Sequence, residues 1–245
     1  MSIAGSPGAS ITVSTGSGND TITGSDQADN VTAGAGTDNI TTDSATVASA
    51  DADNVTTGTG TDTVNIFSVA GSSANADLIS DFSPGTGGDI LSFDLSLLET
   101  DGAIDVGEVI DFSELFDGSS VADSDAASIQ EIAVAAGATV VAANVNMIAI
   151  IGTVATTDAL ETLLEAGGGA PLTINAAGGD VTSSFPVIYS DATNGFVAVC
   201  FAETETANDT TFEATDLVCR NVARLSGNAA ITAAEFVAAN FDFVP

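Results

Sequence analysis

Between residues 15 and 65 the chain sets down its large apolar side chains one at a time. Ile22, Val31, Ile40, Val55 and Val64 each stand two places after an aspartate: Asp20, Asp29, Asp38, Asp53 and Asp62. The residues between are mostly Gly, Ser, Thr, Ala and Asn. Written in nines, the stretch reads TGSGNDTIT (15–23), GSDQADNVT (24–32) and AGAGTDNIT (33–41). After TDSATV (42–47) it resumes as ASADADNVT (48–56) and TGTGTDTVN (57–65). A fixed period of this kind marks one small structural unit repeated and stacked on itself. In each nonamer the small residues predict a turn, because glycine adopts backbone angles that a Cβ forbids. The last three residues predict a short β-strand with one branched side chain pointing inward. Successive turns then stack into a flattened parallel coil with a thin column of Ile and Val inside.

The pattern changes downstream. In 77–94, DLISDFSPGTGGDILSFD, Asp81 and Asp89 flank a flexible glycine turn, followed by an alternating strand. Residues 101–118 show apolar positions three and four apart, which predicts a short amphipathic helix among solvated acids. SIQEIAVAAG reads as helix or strand, and NVNMIAIIGTV (144–154) as a buried strand too short to cross a membrane. TTDALETLLEAGGG has a threonine cap, an apolar stripe and a glycine stop, so a helix is expected. FPVIYSD and GFVAVCFAE read as strands joined across ATNG. DLVCRNVARLSG reads as a helix ending at glycine, and ITAAEFVAANFDFVP as a capped helix with an apolar end. The expected fold is mainly β with α+β character. Residues 1–95 form a parallel β-solenoid and 96–245 an α+β domain with an antiparallel sheet.

Charge sharpens this picture. The 245 residues include 34 acids and two cations, Arg220 and Arg224, for a net charge of −32. Apolar residues still make up 44%, so this is no disordered acidic tail. A compact body so charged repels itself, and two arginines cannot neutralise it. Solvent ions or bound metal must. Nucleic acid and anionic membrane would be repelled and are excluded as electrostatic partners. The chain has neither His nor Lys, which removes the common general base, Ser-His triads, His-zinc sites and Schiff bases. Nothing singles out an acid pair for sugar hydrolysis, and there is no Trp platform. A non-enzyme is expected.

The same charge assigns the chemistry of the repeat. Carboxylates together with turn carbonyls, without His or Cys, form a hard oxygen site that suits several Ca²⁺ ions. The expected ligands are Asp20, Asp29, Asp38, Asp53 and Asp62, in turns opened by Gly16, Gly18, Gly34, Gly36, Gly58 and Gly60. Asp26 and Asp51, in the two registers that lack the paired glycines, add carboxylates. Cys200 and Cys219 read as a disulfide closing a loop of about 20 residues, which implies an oxidising compartment. The sequence leaves open whether it forms within one subunit or between two. MSIAGSPGAS lacks the basic start and apolar core of an N-terminal export signal.

The nonamers resemble those of the repeats-in-toxin (RTX) family, G-G-x-G-x-D-x-(apolar)-x. The resemblance spans 15–65, with the paired glycines kept only at 16/18, 34/36 and 58/60. It implies a calcium-bound β-roll whose turns alternate between two edges, Asp20 and Asp38 on one and Asp29 on the other, with Asp53 and Asp62 continuing them. Residues 77–94 look like the segment that often follows such repeats, which implies a further calcium near Asp81 and Asp89. The resemblance also implies a bacterial extracellular protein exported by type I machinery through an uncleaved C-terminal signal, at about 225–245. Two functions remain. One is a secreted structural protein that self-associates into a filament, surface layer or matrix. The other is a soluble calcium-dependent adhesin or carbohydrate-binding module.

Overall fold

The structure, a computed structural model, describes residues 1–5, 8–43, 51–66, 76–94, 129–141, 145, 147–173, 185–202, 212, 217–227 and 235–244. It is mainly β, with parallel and mixed sheets. The first nine strands are β1 (Ser2–Ala4), β2 (Thr12–Ser17), β3 (Thr21–Thr23), β4 (Asn30–Gly36), β5 (Asn39–Thr41), β6 (Asn54–Gly60), β7 (Thr63–Ile66), β8 (Asp77–Ile79) and β9 (Ile90–Asp94). They alternate between two sheets. The odd-numbered strands stack in parallel in one, and the even-numbered strands in the other.

Register in these sheets follows the single branched residue of each unit. Ile22, Ile40, Val64 and Leu91 align in one sheet, and Val13, Val31, Val55 and Ile79 in the other. All are buried in one continuous core. A slip of one residue would turn every such side chain to solvent. The six residues that interrupt the nonamers therefore do not shift the pairing. Neighbouring coils lie 18 residues apart before the interruption and 24 across it, with the same partners aligned. β2, β4 and β6 run longer than the expected three residues. They continue through the glycines of the next unit, so Gly34 pairs with Gly16 and Gly58 with Gly34.

The remaining elements are β10 (Ile129–Ala133), β11 (Thr139–Val140), β12 (Met147–Thr153), α1 (Thr157–Leu164), β13 (Leu172–Thr173), β14 (Phe185–Ser190), β15 (Asn194–Ala202), β16 (Leu217–Ser226), a 3-10 turn at Ala238–Asn240, and β17 (Phe241–Val244). The even-numbered sheet grows to nine strands in the order β10-β12-β14-β15-β16-β8-β6-β4-β2. It runs unbroken past residue 95. β14, β15 and β16 are antiparallel as expected, but β10, β12 and β14 are parallel. β17 pairs with β9 and extends the other sheet.

The helix over TDALETLL forms, capped by the Thr156 hydroxyl accepting from Ala159 N–H, with Leu160 and Leu164 buried. The expected buried strand at 144–154 is β12, SIQEIAVAAG contains β10, and the ATNG connection joins β14 to β15. DLVCRNVARLSG corrects the expectation: it is strand β16, not helix. Its burial alternates, with Leu217, Cys219 and Asn221 inside and Val218 and Arg220 half-exposed. Val222 is an extra residue in the ladder against β15. Beyond that bulge Leu225 aligns with Ile79 of the coil stack. The disulfide joins Cys200 and Cys219 directly across β15 and β16, inside one chain. The expected helix at 101–118 lies outside the described residues. Residues 235–240 form a turn and a 3-10 turn rather than an α-helix.

Candidate metal centre: two columns of buried aspartates

The turn aspartates fall into two columns, one at each edge of the coil stack. In the first, Asp20 N–H donates to Asp38 Oδ1 at 2.8 Å, Asp38 N–H to Asp62 Oδ1 at 2.8 Å, and Asp62 N–H to Asp89 Oδ1 at 3.0 Å. In the second, Ile11 N–H donates to Asp29 Oδ1 at 2.7 Å, Asp29 N–H to Asp53 Oδ1 at 2.6 Å, and Asp53 N–H to Asp77 Oδ1 at 3.1 Å. Each carboxylate thus holds the backbone of the preceding coil. The cause is the register. Aspartate ends each turn just before the strand, where its N–H points along the stack and finds no strand carbonyl.

The glycines shape the first column. Gly16, Gly18, Gly34, Gly36, Gly58 and Gly60 all have positive φ. A Cβ on Gly34 would lie 2.1 Å from Gly16 O, and one on Gly58 1.8 Å from Gly34 O. The second and third Gly-x-Gly-x-Asp turns therefore lie so close to the turn before them that a side chain has no room. Within this column the second oxygens of Asp20, Asp38 and Asp62 are buried and accept no hydrogen bond. A buried carboxylate oxygen without a donor is costly, and a hard cation removes that cost. The chemistry of the donors, carboxylate plus carbonyl oxygen, fits Ca²⁺. Among the described residues no three acids converge on one point, so backbone carbonyls or water would complete any shell.

Electrostatics points the same way. Burial, and then repulsion from Asp89 and Asp38, pushes Asp62 up to about 6. Burial also raises Asp89. In the second column burial and the Asp77 charge push Asp53 up to about 9, and burial and Asp43 push Asp77 up to about 7. Only Asp20 moves down among these, held by the Met1 ammonium 2.5 Å away.

The other expected ligands are placed differently. Asp29 is saturated: Oδ1 accepts from Ile11 N–H and the Ser25 hydroxyl, and Oδ2 from Ser25 N–H. Asp26 accepts from Gly8 N–H. Asp51 is half-buried and near enough to Asp77 to raise it. Asp81 accepts from Thr57 N–H, the Thr57 hydroxyl and Gly58 N–H. The Thr57 hydroxyl stands 3.0 Å from Asp81 Oδ1 and 3.3 Å from Asp89 Oδ2, so it links the two acids that flank the SPGTGG turn. β8 and β9 lie in different sheets, so 77–94 is another coil of the stack.

Two participants escaped the sequence reading. Asp77 was legible: Asp77-Leu-Ile79 repeats the Asp-x-apolar unit, at a spacing of 24 from Asp53. Asn240 was not. Fully buried, its side chain accepts from Gly85 N–H and Val237 N–H and donates to Gly85 O and Asp89 O. The C-terminal segment is thereby fastened to the last aspartate turn. Phe82, Phe236 and Phe241 stack beside it.

No protein-family model matches the chain, and no curated protein matches it significantly.

Proposed function

We propose that the chain is an RTX-like β-roll: a secreted bacterial calcium-binding structural protein that folds on Ca²⁺ and assembles with copies of itself into an extracellular filament, layer or matrix. One observation carries the calcium reading. Asp20, Asp38 and Asp62 bury carboxylates in stacked glycine turns, with their second oxygens unanswered. Asp89 continues the same ladder one coil on, and Asp81 holds the Thr57–Gly58 backbone beside it. The disulfide favours an oxidising destination. Export through a type I channel would deliver a chain unfolded at low cytosolic calcium, which hardens outside. Self-association draws support from the sheet ends. Among the described residues β1 and β2 end the two sheets on one side of the stack, and β17 and β10 end them on the other. Unpaired strand edges template further strands, and a head-to-tail contact between unlike ends propagates into an open filament.

Refolding in chelator followed by a Ca²⁺ titration, read by circular dichroism and then negative-stain microscopy, tests this. The expected result is cooperative folding as calcium is added, followed by ordered polymers that chelator dissolves. A monodisperse protein at every calcium concentration would instead favour a soluble adhesin or binding module. A fold equally complete in strong chelator would remove the calcium reading.

A further inference from the structure

We infer that calcium occupies only one edge of the stack, the Asp20–Asp38–Asp62 column, and that the Asp29–Asp53–Asp77 column holds the coils together without ions. The inference rests on the calcium reading above. Both columns share the same ladder of carboxylates bonded to backbone N–H groups, so the ladder itself does not separate them. Two other features do.

The first is the state of the second carboxylate oxygen. At Asp20, Asp38 and Asp62 it is buried and unanswered. At Asp29 it accepts from Ser25 N–H at 2.6 Å, while the Ser25 hydroxyl reaches the other oxygen at 2.9 Å. A cation binding Asp29 would have to break these bonds, and one binding the second oxygen of Asp38 or Asp62 breaks none.

The second is the turn backbone. In the first column each turn has glycine four and two places before its aspartate, at 16/18, 34/36 and 58/60, all with positive φ. The turns before Asp29, Asp53 and Asp77 read SDQAD, SADAD and SANAD. They carry Cβ atoms at those places, and residues with a Cβ disfavour positive φ. The second column is therefore not expected to present its carbonyls as the glycine turns do. In the Asp29 turn the Ser25 side chain takes the place of the first glycine and bonds the carboxylate. One edge of the coil is a cation rail and the other a hydrogen-bonded seam.

Native mass spectrometry at saturating Ca²⁺ counts the ions. Asp38→Asn keeps the Oδ1 acceptor for Asp20 N–H and removes the charge, and Asp62→Asn does the same one coil on. Asp29→Asn and Asp53→Asn are the matched changes in the seam. The unaltered chain is expected to bind one ion per unanswered oxygen of the first column, at Asp20, Asp38 and Asp62. Asp38→Asn and Asp62→Asn should each lose at least one ion and weaken calcium affinity about tenfold or more, whereas Asp29→Asn and Asp53→Asn keep the full count. If the rail variants fail to fold, a full count in both seam variants still supports the inference. Ion loss in Asp29→Asn or Asp53→Asn equal to that in Asp38→Asn overturns it and leaves the calcium reading intact. An unaltered chain that binds no calcium overturns both.

Discussion

At the scale of single residues, the stack depends on atoms that are missing. Gly16 and Gly58 occupy the same place in their turns and have similar φ, 105° and 98°. A Cβ on Gly16 would meet nothing within 4 Å, whereas one on Gly58 would lie 1.8 Å from Gly34 O. The pair separates backbone strain from collision. Gly16→Ala should cost about 1–2 kcal/mol, the usual penalty for a Cβ in this region. Gly58→Ala adds overpacking against a neighbouring coil and should cost roughly 2–5 kcal/mol. Urea unfolding of both variants in calcium measures the difference. Equal losses would mean the coils do not approach as closely as described. These glycines were readable from the repeat, because the turn needs them locally. Asn240 was not, because it acts on a turn 155 residues away in the chain.

At the scale of elements, β3 to β7 were legible because one residue decides each of them. A lone Ile or Val two places after aspartate fixes both the face and the register. β16 misled because Leu217, Val218, Val222 and Leu225 fall at helical spacing, while what makes it a strand, pairing with β15 on one side and β8 on the other, depends on residues distant in the chain. The later coils at Asp77 and Asp89 hid behind changed spacing, although each keeps the Asp-x-apolar unit. The columns built by these elements carry an unusual pH signature. Burial raises Asp53, Asp77 and Asp62 to about 9, about 7 and about 6, from an ordinary 3.8. The native state therefore holds protons that the unfolded chain has released. Linkage then makes metal-free stability highest at acid pH, below the unfolded value, and lowers it as pH rises from about 4 to about 9, with the share of Asp62 lost by about 6, that of Asp77 by about 7 and that of Asp53 by about 9. Urea midpoints in chelator at several pH values across that window are expected to fall steadily. A midpoint that rises with pH would show that the carboxylates are ionised and accommodated without a cation. Saturating calcium should flatten the part of the slope that belongs to Asp62, since the ion takes the proton's place.

At the scale of the whole molecule, a charge of −32 against two arginines admits two remedies, and they differ in concentration. Diffuse counterions act by screening, which requires ionic strength: the screening length is about 8 Å at 0.15 M salt and shortens to about 3 Å only at 1 M. Ions held at defined oxygens act by mass action. Each site occupied at a hundredfold excess over its dissociation constant contributes about 2.7 kcal/mol, or roughly 5–11 °C in melting temperature for a chain of this size. Millimolar calcium hardly changes the ionic strength of a buffer that already contains 0.15 M sodium chloride. Adding about 1 mM CaCl2 to that buffer should therefore raise the melting temperature by at least several degrees, and a matched addition of sodium chloride should leave it where it was. Magnesium is the sharper control. It has the same charge but demands a tight octahedral shell and gives up water reluctantly, so turns built of spaced carbonyls and single carboxylates should respond to it weakly. If sodium or magnesium reproduced the calcium shift, the acids would be acting as a diffuse surface, and the buried column at Asp20, Asp38 and Asp62 would need another explanation for its unanswered oxygens.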